Sequence, residues 1–152
     1  MENEGYLVYY HYMTWIEERL AQREALRERT RLIEEHTPKI YQAVWEEILR
    51  FVKDGQAAGM VLNTGGSANA RAVYSSVLGQ PQSNRELTVS LESGKLVANP
   101  YDGGIVVAFD FDVCGDGVVC LKRGGTRVSE REAARIILDP FLFPELASRA
   151  IE

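Results

Sequence analysis

Three aspartates raise the first chemical question. Asp110 and Asp112 alternate with phenylalanine in Phe109-Asp110-Phe111-Asp112, and Asp116 follows in the next turn signal. Residues two apart on a strand share a face, so the three carboxylates could close on a hard cation such as Mg²⁺ or Ca²⁺. A solvated strand face uses the same residues for ion pairing, and the register derived below sets Lys122 opposite Asp110. We therefore expect no metal. Tyr101, Asp110 and Asp112 form the candidate ligand-binding set, for a small molecule held in a pocket between sheet and helices.

Other groups carry less chemistry. Asn63-Thr64-Gly65-Gly66-Ser67 offers backbone N–H groups to a phosphate but lacks the Lys-Ser/Thr ending of a Walker loop, and reads as a flexible turn. His11 and His36 fall in or beside helical segments with no signature tying either to a nucleophile. No catalytic set is named, and no cofactor is expected. Cys114 and Cys120 flank a hairpin turn from diagonal positions, which sets their Cα atoms about 7 to 8 Å apart and outside easy disulfide reach; free thiols are expected. Arg19, Arg23, Arg27 and Arg31 repeat every four residues as the one basic ridge, and Glu24, Glu28 and Glu35 beside it offset its field.

The elements that would position these groups begin with residues 86–123. A two-residue turn at Ser93-Gly94 sets Glu92 opposite Lys95, Leu91 opposite Leu96 and Val89 opposite Ala98. A three-residue loop, Gly115-Asp116-Gly117, pairs Val113 with Val119, Phe111 with Leu121 and Asp110 with Lys122. A two-residue turn there would instead put Phe111 on the face of Lys122. Pro100-Tyr101-Asp102-Gly103 as a four-residue loop keeps Ala98 and Ile105 on the face of Leu96 and Val107. The result is an antiparallel four-stranded meander with one apolar face. Ile105-Val106-Val107-Ala108 is apolar on both faces, which predicts cover on both sides.

Residues 6–55 read as helical. Tyr9, Tyr12, Met13, Ile16 and Leu20 line one side of a first helix, whereas Ala21, Ala25, Leu26, Leu32 and Ile33 fall nearly opposite. Such a helix either breaks within its charged run or turns its second half toward something other than its own sheet. Thr37-Pro38 predicts the cap and first turn of a new helix that Gly55 ends, with Ile40, Tyr41, Val44, Trp45, Ile48, Phe51 and Val52 as its core stripe. Residues 56–85 are ambiguous. Met60-Val61-Leu62 could add a strand and residues 70–78 either a strand or a short helix, so that the sheet could reach five or six strands, and residues 79–84 read as a loop. Ser129-Glu130-Arg131-Glu132 is a capping box; it opens a helix within a C-terminal helical region, 129–152, that Asp139-Pro140 stops after Leu138.

The 152 residues are the size of one domain, and the fold class expected is α+β, an antiparallel meander covered by N-terminal helices and a C-terminal helix. A net charge of −5 disfavours nucleic-acid binding. No apolar run approaches the ~20 residues of a membrane span, and the start lacks the pattern of a signal peptide. Together these predict a cytoplasmic protein that binds neither nucleic acid nor membrane. The expected function is a non-enzymatic interaction or structural module, a homo-oligomer joined through Ala25, Leu26, Leu32 and Ile33, because that apolar set has no place on the chain's own sheet. The alternative is a small-ligand-binding or enzymatic domain.

Overall fold

The computed structural model describes the backbone of residues 2–77 and 80–146 and the side chains of residues 14–76 and 84–146. A 56-residue helix, α1 (Glu2–Ala57), leads into β1 (Val61–Gly66), β2 (Ala70–Val77), β3 (Gln80–Glu92), β4 (Lys95–Pro100), β5 (Val107–Val113), β6 (Val119–Arg123), β7 (Thr126–Val128) and a closing helix, α2 (Glu130–Leu142). The strands make one antiparallel sheet in chain order. The α+β class and the meander are as expected, with seven strands in place of four to six. Antiparallel neighbours need only short connections between them, and Gly94, Gly103, Gly117 and the pair Gly124-Gly125, all at positive φ, turn the chain in four of them.

Both hairpin registers follow the expected pairing. Glu92 faces Lys95, Leu91 faces Leu96 and Val89 faces Ala98. The turn places both Ser93 and Gly94 at positive φ, 52° and 75°, the conformation that matches strand twist in a two-residue loop. Val113 faces Val119, Phe111 faces Leu121 and Asp110 faces Lys122. Between these hairpins the pairing slides by two residues: Ala98 faces Val107, and Leu96 faces Phe109. A slide of two preserves which side chains face the core, and this one sets Leu96 against a ring and Lys95 against Asp110, 3.4 Å apart. It also leaves Ile105 and Val106 outside β5 and exposed. The predicted cover on both sides of residues 105–108 is therefore absent among the described residues.

Three segments depart from the sequence reading. Asn63 to Gly66 belong to β1, and the turn lies at residues 67–69, where the Ser67 N–H donates to the Ala70 carbonyl at 3.0 Å. A Cβ on Gly66 would come within 2.3 Å of that carbonyl oxygen, so a glycine suspected of phosphate contact serves a tight hairpin. Residues 80–84 extend β3 and are not a loop, because pairing with β2 outweighs their poor strand propensity. Finally, Gly124 and Gly125, both at positive φ, turn the chain into the short edge strand β7.

Neither proline stops a helix. Pro38 sits inside α1, where the Thr37 hydroxyl donates to the Ile33 carbonyl at 2.7 Å. Burial of Ile40, Tyr41, Val44, Trp45, Ile48 and Val52 just beyond it holds the following turns in place, a tertiary gain that outweighs the local penalty of about 3 kcal/mol. Gly55 lies in the last turn of α1 and does not end it; a Cβ there would approach the Leu62 Cδ1 to 2.6 Å. Ser129 caps α2 by accepting the Glu132 N–H at 3.1 Å. That helix continues through Pro140, held by Ala133, Ala134, Ile137, Leu138 and Phe141, all buried.

Both helices lie on one face of the sheet, since the buried members of β5, Val107, Phe109 and Phe111, join the cluster that contains the stripes of α1 and α2. Arginines fasten the layers. Arg71 on β2 lies 5.2 Å over the Tyr41 ring and 5.7 Å over Trp45, Arg85 on β3 lies 4.7 Å over Phe141, and Arg131 on α2 lies 4.9 Å over Phe51. The Tyr41 hydroxyl donates to the Val89 carbonyl at 2.5 Å. The opposite face, with Tyr74, Ala108 and Asp110 exposed, carries no covering element among the described residues.

Candidate functional site

The most unusual surface belongs to α1. Every residue from 15 to 31 is exposed, although the same helix is anchored in the core from Ile40 onward. At 1.5 Å per residue this stretch is about 25 Å long, and near its C-terminal end Arg29 reaches Asp112 of β5. Trp15 is 62% and Leu26 61% exposed, with Leu20 at 47% and Ile16 at 36%. Taken at about 100° per residue, Ile16, Leu20, Arg23 and Leu26 share a face some 120° wide. What holds the stretch locally is ion pairing: Arg27 with Glu24 at 3.1 Å, and Arg31 with Glu28 at 2.6 Å and Glu35 at 3.1 Å. The Arg31 guanidinium keeps the Glu28 carboxyl below its usual range, but exposed pairs of this kind are weak and salt-screened.

The four residues expected to form an interface divide in two. Ala25 and Leu26 are exposed, whereas Leu32 and Ile33 are partly buried against the chain's own core. The expectation that this apolar set has no place on the chain's own sheet is thus corrected for Leu32 and Ile33, which pack on the core. Trp15, Ile16 and Leu20 are exposed beside the first pair; Ile16 and Leu20 belong to the stripe expected to face the core, and Trp15 carried no such expectation. The side chains of Tyr9, Tyr12, Met13 and His11 lie outside the described residues.

The structure separates the candidate ligand set. Tyr101 follows the far end of β4, whereas Asp110 pairs with Lys95 at its near end, about 20 Å away at strand rise. Asp112 accepts from Lys122 Nζ at 2.9 Å, from Arg29 of α1 and from the Val113 N–H at 2.8 Å. Lys122 foremost, then Arg29 and the Val113 amide, hold its carboxyl down to about 2. Asp116 lies below its usual range because it accepts the Val118 N–H and pairs with Arg127 at 3.1 Å. Each of these aspartates is thus engaged as an anchor, and no group of three or more potential metal ligands occurs among the described residues.

The clefts lie elsewhere. One of about 430 Å³ opens between the end of α1 and α2, lined mainly by Phe51, Met60, Leu138 and Leu142. A second, of about 400 Å³ and more polar, opens by Asn63, Tyr74, Glu86 and Tyr101. Of the candidate set, Tyr101 borders this second cleft.

Cys114 and Cys120 form a disulfide, which corrects the expectation of free thiols. The register is the one anticipated, and the diagonal placement is real, but the Cα atoms are 6.1 Å apart. The strong right-handed twist near a hairpin end shortens one diagonal into disulfide range. No family model, no curated protein and no solved structure matches the chain. No helix among the described residues is long and apolar enough to cross a membrane.

Proposed function

We propose that this protein is a non-enzymatic interaction module that self-associates through the projecting half of α1. The observation that carries the reading is the combination of an anchored helix and seventeen successive exposed residues bearing Trp15, Ile16, Leu20 and Leu26. Full burial of such side chains is worth about 1.5 to 3 kcal/mol each, more than exposed ion pairs supply, so a partner surface is the favourable state. A second copy run antiparallel, with the overlap centred on Arg23, sets Leu20 against Leu26 in a two-fold arrangement.

Light scattering tests it. The wild-type chain should show twice the 17.1 kDa protomer mass, and Leu20→Glu with Leu26→Glu should show the protomer mass with unchanged helix content, since glutamate is a good helix former. A monomeric wild type at high concentration, or a variant that stays dimeric, would sink the reading.

The disulfide bears on location. Such bonds persist in oxidising compartments and are rare in the cytosol, so the Cys114–Cys120 bridge favours an oxidising compartment over the cytoplasmic one expected from the sequence.

A further inference from the structure

Three residues from three successive strands and the residue that follows β4 form one transverse row. Asn63 on β1 faces Tyr74 on β2, Tyr74 faces Glu86 on β3, and the Tyr101 N–H donates to the Glu86 carbonyl at 2.8 Å. Strand neighbours lie about 4.8 Å apart, so Glu86 is flanked on both sides by a tyrosine. On β3 the adjoining Arg85 stacks on Phe141 of α2 and Leu87 is buried in the core; alternation therefore turns Glu86 to the uncovered face. The row borders the polar cleft of about 400 Å³, which Ser76 and Asn84 extend by one pleat.

Glu86 is half-buried, and its carboxylate has no hydrogen-bond or ion-pair partner among the described residues. Arg85 and Asp102 also border the cleft, where they neutralise each other at 2.6 Å, and the Arg85 guanidinium is further engaged by the Phe141 carbonyl and ring. Tyr74 is positioned by a glycine: a Cβ on Gly65 would come to 3.2 Å from its Cε2, so the ring rests against bare backbone. Tyr101 is 84% exposed.

We propose that this row binds a small organic ammonium ion. A carboxylate supplies the charge, the two tyrosine rings supply cation–π contacts that water does not match, and the Asn63 amide and Ser76 hydroxyl can hydrogen-bond a polar tail. A neutral ligand would leave the carboxylate without a counter-charge, and an anion would be repelled by it. The site is on the face opposite both helices and independent of the self-association of α1.

Choline chloride is the probe, titrated at constant ionic strength while amide signals are followed by NMR, with 3,3-dimethylbutan-1-ol as its neutral isostere. Choline should shift the Tyr74, Glu86 and Tyr101 amides along one saturable curve. The neutral alcohol should bind at least tenfold more weakly. Glu86→Gln should lose at least tenfold in affinity, and Tyr101→Leu, altering a side chain that is almost wholly exposed, should weaken binding several-fold in a protein with an otherwise unchanged spectrum. No saturable shift, equal binding of the neutral isostere, or undiminished binding by both variants would overturn the proposal.

Discussion

Asp112 ties the edge of the helical layer to the sheet. It accepts from Lys122 and from the backbone of Val113 within its own hairpin, and from Arg29 on α1. Its carboxyl is held at about 2, against 3.8 for an ordinary aspartate. A group whose folded-state pKa is depressed stabilises the fold above the unfolded value and loses that contribution as pH falls through the folded one. The melting temperature should therefore fall between about pH 4 and pH 2. Asp112→Asn keeps an acceptor for Val113 but removes the charge that Lys122 and Arg29 meet. It should melt lower than wild type at pH 7, and the gap should close toward pH 2 in a thermal scan across pH. Parallel curves at every pH would mean that the ion pairs add nothing. The residue suspected of holding a ligand is thus, on its geometry, an anchor.

At the scale of elements, two hairpin turns were legible, and the helix stops and the turns at 63–67 and 100–103 were not. Ser93-Gly94 and Gly115-Asp116-Gly117 fix their registers by local backbone geometry, and local geometry is what a sequence displays. Pro38 and Pro140 are local signals too, but burial of Ile40 through Val52 on one side and of Phe141 on the other overrides them. The cost should still be present. Pro38→Ala restores an N–H for the Glu34 carbonyl, and should raise stability by about 1 to 3 kcal/mol, part of the gain being offset by a freer unfolded chain. Denaturant titration checks this; a less stable variant would show that the ring contributes packing that alanine lacks.

In the whole molecule the disulfide and the projecting helix set the conditions of use. The Cys114–Cys120 bridge closes a loop with a sequence separation of 6, and a ring of that size is worth about 2 kcal/mol in the chain-entropy account. Protein made under oxidising conditions should show no reactive thiol after denaturation, and a reductant should lower its melting temperature by several degrees. Two titratable thiols in the unreduced protein would remove the argument for an oxidising compartment.

From the residues alone came the α+β class, two hairpin registers, the core stripe of α1 and the capping box of α2, because each depends on periodicity or turn chemistry within a few residues. Tertiary structure decided the strands at residues 61–66, 70–77 and 80–84, whose weak propensities yield to the ladders that pair them. It decided that α1 runs unbroken past its sheet, that the two cysteines meet across a twisted diagonal, and that Tyr101 stands beside Glu86 and far from Asp110. Those outcomes depend on which distant segments the folded chain brings into contact, and no short stretch of sequence carries that information.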